Sequence, residues 1–151
     1  IESLMTAHVL FPALDHARPA TLSHAIINGL LRRALNYDGV VFTDDLEMKA
    51  ISARYGVGEA VVLAVEAGAD VLLFCHDPAQ ASAAFETLLA RAEKDASVRL
   101  RVEESCGRIE SLKKRCLASF AATRESAREL NAGAHRQLGA EITAACTRYS
   151  Q

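Results

Sequence analysis

The sequence predicts an α/β fold organised around parallel strands, and three observations lead to that class. Short apolar runs recur along the chain at residues 3–9, 39–43 and 70–75. Each is a continuous run and not an in–out alternation, the pattern of a parallel strand covered on both faces. Helical patterns fill the intervals, which gives a βαβαβα rhythm of about 30 to 35 residues per unit. Half of the 151 residues are apolar, enough for one domain with a real core.

The helices follow from their own signals. Residues 22–35 carry Ile26, Ile27, Leu30, Leu31 and Ala34 on one stripe, with Ser23 or Thr21 as the N-cap. Residues 57–68 form the next helix, which Gly68 closes as a helix C-terminal residue. Asp77-Pro78 reads as an N-cap followed by a first-turn proline and opens a helix that runs to Lys94. Residues 98–116 place Val102, Cys106, Ile109 and Leu112 among many charges, an amphipathic helix. A polar stretch, 123–134, leads to a last helix at 135–149. The only repeat is the βα unit itself.

The formal net charge is −2, and no Lys/Arg block is interleaved with aromatics. Nucleic acid and anionic membrane surfaces are therefore poor partners. No apolar run approaches the roughly 20 residues that span a bilayer, and no signal-peptide pattern opens the sequence. The first residue is Ile and the first segment already reads as a strand, so the expectation is the carboxyl-terminal part of a longer protein. Cys75, Cys106, Cys116 and Cys146 are widely spaced and lack C-x-x-C pairing. They read as reduced, packed thiols of a cytoplasmic protein, not as a zinc or redox motif.

The polar residues at the strand ends are the useful set: His8, then Asp44 and Asp45, then His76 and Asp77. Adjacent parallel strands would gather all five on one rim, where βα connections build active sites. Two neighbouring carboxylates diverge at a strand end, so both cannot cap the next helix. Asp45 is placed on that cap and Asp44 in the site. A carboxylate there can act as a nucleophile or stabilise an oxocarbenium-like transition state. His76 and Asp77 could line the same mouth, although Pro78 makes helix capping the stronger reading of Asp77. His16, His24 and His135 have no partners at ligand spacing and are assigned to the surface. Glu47 and Lys49 are expected to face solvent.

The flanks of these residues carry a resemblance. The segment Met5-Thr6-Ala7-His8-Val9-Leu10-Phe11-Pro12-Ala13-Leu14-Asp15, continued by Arg18-Pro19-Ala20-Thr21-Leu22-Ser23, resembles a strand and loop of glycoside hydrolase family 3. It is similar in particular to the β-N-acetylhexosaminidase branch that trims peptidoglycan-derived sugars. Leu30-Leu31-Arg32-Arg33-Ala34-Leu35 and Tyr37-Asp38-Gly39-Val40-Val41-Phe42-Thr43-Asp44-Asp45-Leu46-Glu47-Met48-Lys49-Ala50-Ile51 resemble the segment that bears the family's nucleophile. Ala67-Gly68-Ala69-Asp70 and then Arg108-Ile109 with Leu112-Lys113 resemble the next strand entry and the closing barrel helix. The resemblance covers residues 3–115.

It implies that Asp44, which follows Thr43 at the strand end, is the nucleophile of a retaining mechanism that passes through a glycosyl-enzyme. His8 and Met48 are then substrate-binding residues, His8 at the edge of the sugar pocket and Met48 packed beneath it. No metal and no organic cofactor is implied. The partner is a carbohydrate substrate, with terminal β-linked N-acetylglucosamine as the expected sugar. The branch's general acid/base, a His in a Gly- and His-rich loop, has no match in this sequence. The Arg and Asp that hold the sugar have none either. A (β/α)₈ TIM barrel needs about 250 residues. The chain is thus expected to be a partial barrel, its last three βα units plus C-terminal helices. Residues 1–118 would belong to the catalytic domain and 119–151 to a helical tail or linker. Open barrel edges invite self-association. Two alternatives remain: an inactive half-barrel that assembles with itself or a partner, and a β-glucosidase-type specificity, against which Asp44-Asp45-Leu46-Glu47-Met48 argues.

Overall fold

Three parallel strands form one sheet in the order β1-β2-β3. They are β1 (Ser3–Met5), β2 (Val40–Asp45) and β3 (Val71–Leu73). The computed structural model describes residues 1–118 and 133–149, the side chains of 145–149 aside. Ser3, Leu4 and Met5 pair with Val40, Val41 and Phe42. Across β3, Phe42 pairs with Val71 and Asp45 with Leu73. That register shift leaves one extra residue on β2 next to its carboxyl end, where an irregularity re-aims side chains.

The sheet is shorter than predicted on its outer strands. β1 stops at Met5, beyond which the Thr6 N–H still reaches the Phe42 carbonyl at 2.9 Å, and β3 stops at Leu73. β2 runs two residues further than expected, so Asp44 and Asp45 are its last residues and not the first residues after it.

The strands alternate with a 3₁₀ turn (Ala20–Leu22), a π-helix (Ala25–Ala34), α1 (Lys49–Ser52), α2 (Val57–Ala67), α3 (Pro78–Lys94) and α4 (Ala96–Leu117), and a separate helix, α5, spans Gly133–Tyr149. The predicted single helix at 22–35 is thus a tight turn followed by a wide helix. Ser23 supplies its cap, because Ser23 Oγ accepts from the Ile26 N–H at 3.3 Å. Thr21 bonds elsewhere. The Leu35 N–H reaches the Leu30 carbonyl at 3.0 Å, an i→i−5 bond. The wider turn brings Ile27 and Arg32 nearly onto one face. Ile27 is buried, whereas Leu30 and Ala34 of the expected stripe are exposed.

The helix at 57–68 forms as read. Gly68 takes φ +119°, and a Cβ there would stand 2.9 Å from Ile27 Cγ2. Both facts require glycine. Gly39 is required for a second reason: its Cβ would lie 2.7 Å from the Glu2 carbonyl, where β1 and β2 meet. Asp77 caps α3 through Oδ1, which accepts from the Ala79 N–H at 2.9 Å with Pro78 in the first turn.

The core lies on one side of the sheet, where Leu4, Val41 and Leu72 meet Leu22, Ile27, Ile51, Val61, Ala64 and Ala84. The buried stripe of α4 is Val98 and Ser105 with half-buried Val102, Ile109 and Leu112. Cys106 is exposed, as are Cys75 and Cys116, and none of the three is in a disulfide. They are free thiols but not packed ones; at Cys106 the reason is that its neighbour Ser105 takes the inward position on α4. Most of the polar stretch 123–134 lies outside the described residues, as does the side chain of Cys146. By internal contacts the chain divides into two units, Ile1–Arg115 and Cys116–Gln151. No helix among the described residues is long and apolar enough to cross a membrane.

Candidate active site

Burial alternates along the end of β2. Val41, Thr43 and Asp45 are buried, while Phe42 and Asp44 are half-buried. Adjacent strand residues point to opposite faces, so the two acids diverge. Asp44 lies on the less covered face with Phe42. Its Oδ1 accepts from the Asp45 N–H at 2.8 Å, which fixes the carboxylate against the backbone. Among the described residues Asp44 has no ion pair, so no cation competes for its carboxylate.

Asp45 does not cap a helix as predicted. The residue that precedes α1 is Met48, and no side chain caps that helix. Asp45 instead makes a turn, its Oδ1 accepting from the Glu47 N–H at 3.1 Å, and its Oδ2 lies 3.2 Å from His76 Nδ1. The extra residue in β2 turns the chain before any helix begins, and that is why the cap position falls three residues later.

His8 sits in a chain of hydrogen bonds. Its Nε2 lies 2.9 Å from the Asp45 carbonyl and its Nδ1 lies 2.9 Å from Thr21 Oγ1, which in turn meets Thr6 Oγ1 at 2.9 Å. A carbonyl can only accept, so Nε2 carries the proton. Both ring nitrogens are thereby occupied in holding the β1 connection to the end of β2. The ring is half-buried and sits directly behind the carboxyl end of β2. Met48 is not packed beneath the rim as expected: it is 45% exposed at the start of α1, where the chain turns away from β2.

Glu47 was expected in solvent, yet its side chain is only 7% exposed. Its two carboxylate oxygens accept from the His76 and Asp77 N–H groups at 2.7 and 2.9 Å. They thereby hold the connection after β3 against the end of β2. Lys49 is exposed, as are His16, His24 and His135. The rim therefore brings together His8, Asp44, Asp45 and His76 as the strand order requires, and adds Glu47. Asp77 is occupied as the cap of α3. Glu47 escaped the sequence reading because its partners are about 30 residues away; the only local signal is its place two residues beyond a strand-end acid. A shallow depression beside this rim is lined by Phe74, Cys75, His76, Asp77, Pro78 and Ala81. Slight loss of hydration at the rim, and then the charges of Asp45, Glu47 and Asp44, push the exposed Cys75 thiol above its ordinary value.

Comparison with known proteins gives one consistent result. The model of the "Glycosyl hydrolase family 3 N terminal domain" matches residues 1–112. A beta-hexosaminidase of Methylococcus capsulatus is 35% identical over 108 residues, covering 72% of this chain and 32% of that protein. The solved structure of a glycoside hydrolase family 3 beta-N-acetylglucosaminidase from Paenibacillus sp. is 50% identical with a TM-score of 0.73, covering 82% of this chain and 24% of that one. A Beta-N-acetylhexosaminidase structure from Beutenbergia cavernae is 31% identical with a TM-score of 0.71, covering 74% and 33%. The chain thus spans a quarter to a third of the length of these proteins.

Proposed function

The chain belongs to glycosyl hydrolase family 3, and from that premise we propose that it carries the nucleophile-bearing part of a retaining β-N-acetylhexosaminidase. The observation that supports this most is the placement of Asp44. It is an unpaired, backbone-anchored carboxylate at the end of a central parallel strand, within a match to relatives named for hexosaminidase activity. In this reading the three strands are the last three βα units of a (β/α)₈ barrel within residues 1–118, and 119–151 is a tail or linker. The less covered sheet face would then turn toward the barrel interior.

Asp44 attacks the anomeric carbon of a terminal β-linked N-acetylglucosamine, with peptidoglycan-derived sugars as the natural class. The glycosyl-enzyme is then opened by water. Its Asp45 N–H bond aims the carboxylate, and the His8–Asp45 carbonyl bond keeps β2 from slipping. His8 lines the pocket edge from behind, and exposed Met48 offers an apolar contact at its mouth. The general acid/base comes from outside these 151 residues, so the chain alone is inactive until a complementary part of a barrel completes it. The proposed compartment is the cytoplasm.

The test is substitution in a protein that carries the whole barrel. Asp44→Ala should lower kcat on an aryl N-acetyl-β-glucosaminide by about 10³-fold or more. Retention of most of the activity would remove Asp44 from the mechanism. Hydrolysis by the isolated chain as a monomer, with its mass read by light scattering, would overturn the proposed dependence on a complementing part.

A further inference from the structure

Beside Asp44, but outside its hydrolytic role, three ligating side chains converge. Asp45, Glu47 and His76 each present one ligand atom, and these atoms all lie within 4.8 Å of one another. His76 Nδ1 is 3.2 Å from Asp45 Oδ2 and 3.9 Å from Glu47 Oε2. A tetrahedral ion with bonds of about 2.0 to 2.1 Å holds its ligand atoms about 3.3 Å apart. The His76–Asp45 pair is already at that spacing, and the His76–Glu47 pair is wider than it by about 0.6 Å.

The two carboxylates are oriented as metal ligands are, by hydrogen bonds to their remaining lone pairs. Asp45 Oδ1 accepts from the Glu47 N–H, and Glu47 accepts from the His76 and Asp77 N–H groups. Charge points the same way. The Asp45 and Glu47 side chains are 10% and 7% exposed, and among the described residues neither is paired with Lys or Arg. Adjoining, largely buried carboxylates repel each other and call for a cation. Asp44 adds a third carboxylate at the same end of β2. The imidazole of His76 is 79% exposed, so an ion held there would stay open to water on that side.

We propose that Asp45, Glu47 and His76 form a binding site for a divalent transition-metal ion that ties the connection at residues 75–78 to the carboxyl end of β2. One imidazole with two carboxylates suits zinc(II), manganese(II), iron(II) or cobalt(II), and leaves positions open for water. The site stands apart from the hydrolytic reading, since none of its ligands is asked to touch the sugar.

The experiment is calorimetric titration of the full chain, freed of metal by chelation, with zinc chloride. One ion should bind per chain, and His76→Ala should weaken binding at least tenfold, a loss of about 1.4 kcal/mol or more. His76 is exposed, so its loss leaves the fold intact, which circular dichroism checks; Glu47→Gln should weaken zinc binding in the same direction. Cobalt(II) in place of zinc should give ligand-field bands without a thiolate charge-transfer band. No saturable binding up to about 1 mM zinc, unchanged binding in His76→Ala, or a thiolate band would each overturn the proposal. The titration reads ions bound and not sugar hydrolysed, so it can fail while the Asp44 assignment stands, and the reverse.

Discussion

The two ends of the three-stranded sheet hold opposite balances of charge. At the end where the strands begin, a single carboxylate, Asp70, is 0% exposed and surrounded by donors. Arg32 Nη2 reaches it at 2.6 Å, Arg101 Nη2 at 2.5 Å, Arg108 Nη1 at 3.3 Å, Ser105 Oγ at 2.9 Å and the Val41 N–H at 2.9 Å. The same guanidinium groups bind carbonyls of Tyr37, Gly39, Gly68 and Ala69. The π-helix, α4 and the starts of β2 and β3 are thereby fastened at one point. At the other end, Asp45 and Glu47 share one exposed imidazole, Asp44 has no ion pair, and no guanidinium reaches any of the three among the described residues. A satisfied buried charge organises the fold. An unsatisfied cluster is tolerated where binding or chemistry repays its repulsion.

That contrast can be broken experimentally from either end. The largest effect is expected from Asp44→Asn in a barrel-complete protein: kcat falls about 10³-fold or more while the thermal midpoint holds or rises, because one of three crowded carboxylates is neutralised. A parallel loss of stability would mean that Asp44 is structural. Asp70→Asn should do the reverse and cost about 3 to 5 kcal/mol in urea unfolding, since three guanidinium groups lose their common partner. Gly68→Ala should cost about 1 to 3 kcal/mol from its left-handed backbone and the contact with Ile27. Partial rescue of that loss by Ile27→Leu, which has no second γ carbon, would locate the strain at this contact. The smallest effect is the α3 cap, where Asp77→Ala should lower stability by about 1 kcal/mol without touching the Glu47 contacts, which use the backbone N–H of residue 77.

Acid should separate the two ends as well. Burial by itself would raise the Asp70 carboxyl, but the Val41 N–H and the guanidinium groups of Arg101 and Arg32 outweigh it and hold it below the ordinary carboxylate value. A group lowered on folding stabilises the native state above its unfolded value, about 3.9, and loses that contribution as pH falls through the folded value. Urea midpoints should therefore stay level from neutrality to about pH 4 and drop below it. In Asp70→Asn the drop should be shallower; an unchanged slope would place the acid sensitivity elsewhere.

How far the site could be read ahead of the structure depends on the distance between partners. The strand-end acids, the Gly68 stop and the Asp77-Pro78 cap are local signals, each carried by one to three neighbouring residues; α2 and α3 are bounded where those signals put them, and β2 runs two residues further. Asp45 was misplaced because a β-bulge-like shift depends on how β2 meets β3, which no local pattern records. Arg32 was invisible for a related reason: the wide helix that turns it inward is selected by its bond to Asp70, 38 residues away. Cys106 and Ser105 exchanged roles because a three-residue stripe on α4 fits either position until Asp70 claims the hydroxyl.

Apolar run, glycine stop, capped helix and family motif are properties of short stretches of chain, so the sequence alone determined the βα order and singled out Asp44. Which carboxylate would be neutralised and which left exposed to its neighbours is a property of pairs about 30 to 40 residues apart. Only the folded sheet decided that, because electrostatic energy depends on distance in space and on burial, not on separation along the chain.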